Sequence, residues 1–367
     1  MVEEIKIQNY KSVQDLTLEL GRINVLIGAN GCGKSNILEA IAFGSAAMED
    51  KLGKEFLSAR GIRVTDPIWM KSGFNKKASK ETISLNLNVN DENIFLVLDN
   101  DNKSFSEWRV LRRVEDLKID VKPLDILVDG KITLAELDLL RKNVKIEQLE
   151  NFIIYAPENT FLRKFEEESQ IEPLGIKGEG LFKLLSVMNQ ETVEEFQEII
   201  ENLELIDWFD GFEIPKDLVF TERRIRIKDR FLEEGLQYFD QRSSNEGFLF
   251  LMFYFALFIS KYTPKFFAID NIDASLNPKL CIELIKILTK LAKKHDKQVI
   301  FTTHNPAILD GLNLNDDEVR LLVVSRNKDG HTKTKRITPT PVPEGEIPVR
   351  LSEKFMRGYI GGLPKNF

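Results

Sequence analysis

Hydrophobic and polar residues alternate near the start of the chain, in IKIQNY and LTLEL, and this period of two predicts strands. The run RINVLIG predicts a further strand that leads into a glycine-rich loop, and NILEAIAFGSAAM after the loop has helical spacing. The same order returns much later, as the strand FFAID, a helix from NPKLCIELIKILTKLAKKH, the strand QVIFTTH and a helix from NPAILDGL. Strands that alternate with helices predict an α/β fold.

The stretch between these two regions has a different pattern. ETISLNLNVN, NIFLVLDND and KSFSEWRVLRRV predict consecutive antiparallel strands with turns at NDEN and DNDNK. GIKGEGLFKLLSVMNQETVEEFQEIIENLELI then predicts two helices. We therefore expect a doubly wound, mainly parallel sheet that is interrupted by an antiparallel β-subdomain and a helical lobe.

The most apolar segment, FLFLMFYFALFI, is too short for a membrane span and has no polar face. It predicts a helix buried between the sheet and the helical lobe, and no other run predicts a transmembrane segment. The beginning MVEEIKIQNYKS is acidic and strand-like, which argues against a secretory signal. The two cysteines, Cys32 and Cys281, are too few for a disulfide framework and fit a reducing cytoplasm.

The glycine-rich loop GANGCGKS, residues 28–35, has the spacing G-x-x-x-x-G-K-[ST] of a phosphate loop and lies between a predicted strand and a predicted helix. Its glycines permit a tight curl that points backbone N–H groups at phosphates, and the helix adds the positive end of its dipole. Lys34 is expected to reach the β- and γ-phosphates of ATP, and Ser35 to bind Mg²⁺. The predicted nucleotide-binding residues here are Asn30, Gly31, Cys32, Gly33, Lys34, Ser35 and Asn36.

Asp270 ends the buried strand FFAID, more than two hundred positions after Lys34. With this long separation between the phosphate loop and the acidic residue, the sequence resembles the ABC-type ATPases of the RecF/SMC group. More narrowly, it is similar to the small bacterial AAA-annotated ATPases of phage-defence and abortive-infection systems. The resemblance rests on motifs in residues 1–45 and 240–325, and it implies an ABC-type ATPase head as the fold.

The resemblance implies roles for the motifs around the second set of strands. Asp270 corresponds to the acid that orders Mg²⁺, and His304 in FTTHNP corresponds to the switch histidine that touches the γ-phosphate. DASLNP (273–278) is similar to the D-loop that crosses a dimer interface, and its proline opens the next helix.

RSSNEG (242–247) occupies the place of the family's signature loop, directly before the apolar helix. The resemblance implies that Ser243, Ser244 and Gly247 bind the γ-phosphate of the nucleotide on the opposite subunit, at the positive end of the helix. In the alternative interpretation, Ser244 and Asn245 only cap a core helix.

Asn271 stands where this family usually has a glutamate that polarises the attacking water. An amide keeps a hydrogen bond to the water but cannot take up a proton at neutral pH, and a positioned acid–base group contributes about 10²–10⁴-fold in rate. The expected catalytic set is therefore Asp270, Asn271 and His304, with slow hydrolysis of ATP. Asp273 or Glu158 could supply the missing carboxylate if their loops turn towards the nucleotide.

These motifs suggest a domain organisation. Residues 1–50 and 240–340 form the nucleotide-binding ATPase core, residues 51–150 a β-rich inserted subdomain, and residues 151–239 a helical signature lobe. Residues 341–367, which contain a Pro-rich connector and GYIGGLPKNF, form a C-terminal segment that docks onto the head or a partner. The alternative for this segment is a frayed terminus.

Two classes of function fit the sequence. The first is an ATP-binding, slowly hydrolysing sensor or scaffold in bacterial antiviral defence, which forms a homodimer or a larger even-numbered oligomer through ATP-bound heads and gates a separate effector protein. The second is a RecF/SMC-like repair ATPase that binds DNA directly. The net charge of −7 and the lack of a long heptad run favour the first.

Two further patterns bear on this choice. The basic stretch TERRIRIKDR (221–230) could meet phosphate backbones, but a solvated strand face explains it better. The three histidines are scattered and form no metal-nuclease motif, so we expect any effector nuclease on another chain.

Overall fold

The computed structural model describes residues 1–74, 80–90, 92–103, 106–115, 149, 151–165, 172–215, 223–233, 235–236, 238–339 and 348–363. The predictions for most of the Pro-rich connector, for PKNF and for residues 116–148 of the β-subdomain lie outside these ranges. Within the described ranges, no helix combines the length and the apolar composition that a membrane crossing requires.

Strands and helices are numbered in chain order over the described residues. The strands are β1 (Val2–Tyr10), β2 (Val13–Glu19), β3 (Ile23–Ile27), β4 (Ile83–Val89), β5 (Glu92–Asp99), β6 (Arg109–Glu115), β7 (Ile154–Tyr155), β8 (Phe209–Glu213), β9 (Arg226–Asp229), β10 (Phe266–Ile269), β11 (Gln298–Thr303), β12 (Val319–Arg326) and β13 (Thr332–Ile337). The helices are α1 (Lys34–Met48), α2 (Lys54–Ala59), α3 (Pro67–Met70), α4 (Asn159–Lys164), α5 (Leu181–Glu191), α6 (Val193–Leu203), α7 (Glu246–Ile259), α8 (Pro278–Lys294) and α9 (Leu351–Met356), with a 3₁₀ helix at Pro306–Gly311.

Six strands form the central sheet, in the order β13–β12–β3–β11–β10–β7. Strands β12 to β7 run parallel, and β13 pairs antiparallel with β12 at one edge. The segments RINVLIG, FFAID and QVIFTTH contain β3, β10 and β11 at the centre of this sheet. The predicted mainly parallel sheet is therefore confirmed. Parallel strands end on the same side of a sheet, and ligands bind at that side in open α/β folds.

The central strands are buried on both faces, and their side chains alternate between two hydrophobic cores. Val25 of β3 and Phe301 of β11 belong to one core, whereas Leu26 and Ile300, their neighbours in sequence, belong to the other. Successive side chains of a strand leave opposite faces of the sheet. The sheet therefore separates two packed layers, as in other α/β proteins with a covered parallel sheet.

The second core lies between the central sheet and a five-stranded antiparallel sheet of order β2–β1–β4–β5–β6. Helix α1 lies in this core and is buried along nearly its whole length. A Cβ built at Gly44 of α1 would be 3.1 Å from a methyl group of Leu85 in β4. The predicted antiparallel strands are present as β4, β5 and β6, and β1 and β2 join the same sheet through β4.

Helix α7 contains the apolar segment, and its residues from Phe248 to Ile259 are all buried. Phe258 meets Phe267 of β10 edge-on, with ring centroids 5.2 Å apart, and Phe248 packs on Trp208 and Phe209 of the lobe. The helix therefore lies between the sheet and the lobe, as its lack of a polar face predicts. Burial of each large apolar side chain contributes about 1.5–3 kcal/mol, so α7 is a main attachment of the lobe.

The basic stretch contains β9, which pairs with β8 in a two-stranded sheet. Lys228 pairs with Asp210 at 2.7 Å, and Arg226 pairs with Glu213 at 3.4 Å. These cations face acidic side chains of the neighbouring strand, which favours the solvated strand face over a path for phosphate backbones. Residues 221 and 222 of the stretch lie outside the described residues.

Candidate functional site

The phosphate loop (residues 28–35) joins β3 to α1 at the carboxyl end of the central sheet. Gly31 and Gly33 have φ angles of 71° and 111°, in the left-handed region that favours glycine. A Cβ at Gly33 would lie 2.1 Å from the hydroxyl oxygen of Thr332 in β13, so no side chain fits there. The Thr332 hydroxyl also donates to the carbonyl of Cys32 at 3.0 Å. The β13 hairpin therefore supports the loop from outside.

Lys34 is the first residue of α1, and only 6% of its surface is exposed. Its ammonium group donates to the carbonyl oxygens of Gly28 at 2.8 Å and Ala29 at 3.3 Å, both in its own loop. Burial lowers the pKa of Lys34, and the carboxylates of Asp270 and Asp273 oppose that shift. The Lys34 ammonium is thus held inside the loop, where it can form charge-assisted hydrogen bonds to a bound anion.

Ser35 and Asp270 come together from α1 and from the end of β10. The Ser35 hydroxyl lies 3.3 Å from Asp270 Oδ2, and the Thr302 hydroxyl of β11 donates to Asp270 Oδ1. The parallel pairing of β10 with β11 brings these residues to one side of the sheet. A cavity of about 190 Å³ opens here. Its lining is Ser35, Leu38, Glu39, Gly61, Arg63, Ile154 and Asp270.

Asn271 directly follows Asp270 and is exposed. Its backbone N donates to the Thr302 hydroxyl at 2.9 Å. Its φ is 57°, in the left-handed region, where asparagine is tolerated better than most residues with a side chain. This backbone conformation is a local reason for asparagine at this position, independent of its chemistry.

Asp273 and Glu158 are placed differently relative to this site. Asp273 accepts a hydrogen bond from the Thr303 hydroxyl at 2.6 Å, and its charge opposes the lowering of the Lys34 pKa that burial causes. Glu158 pairs with Lys177 at 3.0 Å instead. Of the two carboxylates that could replace the missing glutamate, Asp273 is therefore the one whose charge acts on Lys34 of the phosphate loop.

His304 follows β11 and is exposed. Its side chain is hydrogen-bonded to the backbone of Gly28, the first residue of the phosphate loop. Partial burial and the nearby Lys34 ammonium lower its pKa, so the ring is neutral at pH 7 and can donate a hydrogen bond. The predicted switch histidine thus lies beside the loop.

The predicted signature loop, RSSNEG, lies at the start of α7. Asn245 caps this helix by accepting from Phe248 N at 2.8 Å, as the alternative interpretation expects. Ser244 does not cap: it is 4% exposed, and its hydroxyl oxygen is buried with no hydrogen-bond partner. Arg163 of α4 holds the carbonyls of Arg242 and Ser244 at 2.5 and 2.8 Å.

The remaining predicted signature residues, Ser243 and Gly247, are partly or fully accessible. The Ser243 hydroxyl lies 3.4 Å from Asp240 Oδ1. Gly247 lies against the D-loop, since its Cβ would be 3.4 Å from the Ser275 carbonyl, and Glu246 accepts a hydrogen bond from the Ser275 hydroxyl. The signature and D-loop motifs are therefore in direct contact within the chain.

Two residues of the site have no signal in the sequence. Glu39 of α1 is buried and accepts from Lys11, Tyr10 and Arg63, and Arg63 also donates to Asn36 at 3.2 Å. Arg63 is exposed on the wall of the cavity that Ser35 and Asp270 line. Arg63 lies in an irregular stretch with no motif, so only the folded chain shows that it belongs to the site.

The other predicted loop residues differ in access. Asn30 and Gly31 are exposed, and Cys32 is buried with its sulfur 3.9 Å from the Lys34 ammonium. Asn36 donates to the Ser12 hydroxyl at 2.7 Å, so its amide supports the loop. In the part of the chain that the structure describes, no group of three or more His, Cys, Asp or Glu is placed to hold a metal.

Residues 23–310 match the model of a protein family described as "AAA domain, putative AbiEii toxin, Type IV TA system". The match covers both halves of the central sheet and the inserted region between them. It includes the phosphate loop, the signature loop, Asp270 and His304.

Three other proteins are similar to this chain in sequence. A stretch of 116 residues is 35% identical to the uncharacterized protein MJECL10 of Methanocaldococcus jannaschii, covering 30% of this chain and 52% of that protein. A stretch of 45 residues is 49% identical to the DNA double-strand break repair Rad50 ATPase of Sulfolobus acidocaldarius, covering 12% and 5%. Over 355 residues the chain is 25% identical to the Septu protein PtuA of Bacillus mycoides, covering 91% and 42%. The chain therefore spans about half or less of each relative.

Among solved structures, the chain is similar to the SmcHead bound to the C-winged helix domain of ScpA, with a TM-score of 0.58 and 17% identity over 92% of this chain and 98% of that one. Identity at this level shows the fold alone. The likeness confirms the predicted α/β fold of a head domain, with a mainly parallel sheet and an antiparallel sheet.

Proposed function

The chain belongs to the AAA-domain family described as putative AbiEii toxins of type IV TA systems, and on that premise we propose that it is an ABC-type ATPase of bacterial antiviral defence. The observation that carries this proposal is the meeting of Lys34, Ser35 and Asp270 at the carboxyl side of the central sheet. The similarity to Septu protein PtuA over 91% of the chain supports the defence context.

The residues of the site fit ATP and Mg²⁺. Gly31 and Gly33 give the loop the curl that exposes N–H groups, and Lys34 adds a cation on the same side. The Ser35 hydroxyl and the Asp270 carboxylate are hard oxygen ligands of the kind that Mg²⁺ prefers. When bound, Mg²⁺ supplies positive charge that offsets the charge of the phosphates.

The proposed chemistry of this chain consists mainly of positioning. Lys34 exchanges its bonds to the Gly28 and Ala29 carbonyls for bonds to phosphate. Neutral His304 has a single N–H, so it exchanges its bond to the Gly28 backbone for one to the terminal phosphate. Thr302 holds both the Asp270 carboxylate and the backbone of Asn271, so the metal ligand and the water-facing residue keep a constant separation. The Asn271 amide orients a water without taking its proton, and hydrolysis is therefore slow.

We also propose that ATP brings two heads together, with the signature loop of each facing the nucleotide of the other. One observation supports this arrangement: the signature loop adjoins the D-loop, with Gly247 beside the Ser275 carbonyl and Glu246 bonded to the Ser275 hydroxyl, so both motifs can meet the same partner head. The product is a homodimer or a larger even-numbered assembly.

Mixing two inactive variants tests the shared site. We expect Lys34→Ala and Gly247→Glu each to lack ATP hydrolysis, the second because its carboxylate repels the phosphate opposite. Gly247 is a suitable position, since a Cβ there makes only ordinary contacts of 3.4 Å or more. In a mixture that exchanges subunits, half of the dimers combine the two variants and carry one intact site of two. Activity should then return to about a quarter of wild type.

The mixture has a clear opposite result. If each chain uses its own signature loop, mixing restores nothing, and the proposed pairing is wrong. Lys34→Ala mixed with itself, at the same total concentration, is the control for protein concentration effects.

A second function, DNA binding in repair, is favoured by the local match to the Rad50 ATPase. Purification of the untagged chain with ATP separates the two functions. For the defence function we expect a specific effector protein to co-purify with ATP and not without it. Recovery of DNA instead, resistant to about 200 mM salt where phosphate contacts weaken, would favour the repair function.

A further inference from the structure

The chain after α9 returns to the central sheet. Ser352, in the first turn of α9, bonds twice to the Asp310 carboxylate, through its backbone N at 2.9 Å and its hydroxyl at 2.6 Å. Phe355 and Ile360 are buried in the same core as Val323 of β12. We refer to residues Gly358–Leu363, with the sequence GYIGGL, as the glycine segment.

Gly362 brings the glycine segment closest to the phosphate loop. A Cβ built at Gly362 would lie 2.7 Å from Val323 Cγ1, 3.2 Å from Phe355 Cε2 and 3.6 Å from Gly28 Cα, so its backbone lies beside all three residues. Its φ of 86° is also one that residues with a side chain rarely adopt. Gly361 has a similar φ of 81°, yet a Cβ there would meet no atom within 4 Å. The left-handed backbone favours glycine at both positions. Only at position 362 would a side chain also collide with a neighbouring residue.

Gly28 is enclosed by β12 and by this segment. It follows Ile27, whose partner in the pairing of β3 with β12 is Val323. A Cβ at Gly28 would lie 2.2 Å from the carbonyl oxygen of Val324. β12 therefore closes one side of Gly28, and Gly362 lies on another.

Gly28 also contacts the two polar side chains that face the phosphates. Its carbonyl accepts from the Lys34 ammonium at 2.8 Å, and its backbone bonds to His304. A displacement of Gly28 would therefore move the acceptor of Lys34 and the partner of His304 together.

We propose that the glycine segment is a positioning element of the nucleotide site: Gly362 holds Gly28 against β12, and this contact orders the phosphate loop before nucleotide binds. The inference rests on the proposed ATP binding. A loop that is ordered in advance loses less conformational freedom on binding, so the contact strengthens ATP affinity without touching ATP.

Three variants separate this role from simple stability. Gly362→Ala introduces a Cβ into the contact and strains a left-handed residue. Gly361→Ala introduces a similar strain with no contact, so it is the matched control. Gly362→Ala combined with Val323→Ala removes the closest contact of the new Cβ and leaves its 3.2 Å contact with the Phe355 ring, and Val323→Ala alone is its reference.

The measurements are ATP affinity by isothermal titration and amide hydrogen exchange over residues 28–34 in nucleotide-free protein. We expect Gly362→Ala to weaken ATP binding at least about tenfold and to speed exchange in the loop, because preorganisation is lost. Gly361→Ala should stay within about twofold of wild type in affinity. The double variant should regain part of the affinity relative to Val323→Ala, because the closest contact is relieved and the Phe355 contact and the backbone strain remain.

Several results would overturn the proposal. One is wild-type affinity and exchange in Gly362→Ala, even with a lower melting temperature, since the segment would then be only structural. Equal losses in Gly361→Ala and Gly362→Ala, or no recovery in the double variant, would overturn it as well. If wild type itself binds no ATP, the proposed function fails, and the exchange data on nucleotide-free protein still decide whether Gly362 orders the loop.

Discussion

Replacing Lys34 by alanine is expected to abolish measurable ATP binding. The ammonium is the buried cation of the phosphate loop, and its hydrogen bonds to loop carbonyls show that it reaches across the loop. Hydrogen bonds to charged groups contribute about 1.5–3 kcal/mol each, so losing two of them weakens binding at least about a hundredfold. Titration calorimetry with Mg²⁺ and ATP measures the loss, and any defence or repair activity should disappear with it.

Lys333→Ala is the control for this variant. Lys333 follows Thr332 in β13, beside the loop, but its side chain donates to the Asp15 carbonyl at 3.1 Å and is exposed. Its removal should leave ATP affinity unchanged. If Lys34→Ala melts cooperatively and binds ATP as wild type does, the assignment of this loop to nucleotide is wrong.

Asn271→Glu is expected to raise the steady-state ATPase rate by at least about tenfold, less than the roughly 10²–10⁴-fold that a positioned acid–base group contributes, because backbone strain offsets part of the gain. The other groups, Lys34, Ser35, Asp270 and His304, are already in place. The left-handed φ of 57° at residue 271 costs a glutamate about 1–2 kcal/mol in stability relative to a relaxed conformation. The ATP-bound assembly should also dissociate sooner, because hydrolysis removes the nucleotide that holds it.

Asn271→Gln is the matched control, since it has the length and the backbone strain of glutamate without the charge. It should hydrolyse ATP as slowly as wild type, and Asn271→Ala should change hydrolysis little. Equal rates in the Glu and Gln variants would show that a carboxylate at this position is not what limits turnover, and Asp273 would be replaced next. Brisk wild-type hydrolysis that Asn271→Ala removes would show that the amide positions water well enough by itself.

Local motifs explain what the sequence could predict about this site. The phosphate loop is specified within eight consecutive residues. The strands β3, β10 and β11 are predicted from short, mainly apolar runs. The order of those runs predicted an interrupted α/β sheet, and the ABC-type head was implied by the resemblance to the RecF/SMC group. Burial of α7 followed from its composition, since a helix with no polar face has no side to expose to water.

What the sequence could not show depends on contacts between distant segments. β1 and β2 alternate as strands do anywhere, and only pairing with β4 places them in the antiparallel sheet. Arg63 belongs to no motif and to no hydrophobic repeat, so its position beside Asp270 can be found only from the folded chain. The left-handed conformation of Asn271 gives a second reason for asparagine at this position, because the backbone alone favours it there. That reason cannot be read from the sequence. The domain boundaries and the residue roles remain predictions.

Helix α1 begins with Lys34 and Ser35 and is enclosed between two sheets. Closely packed interiors are nearly incompressible, so a force applied to the start of such a helix cannot be absorbed by bending or sliding. Both sheets and α1 would therefore move as one rigid block when phosphates pull on the loop. The helical lobe is attached to the other face of the central sheet through α7, which is buried from Phe248 to Ile259, so a displacement of this block reaches the lobe through that helix.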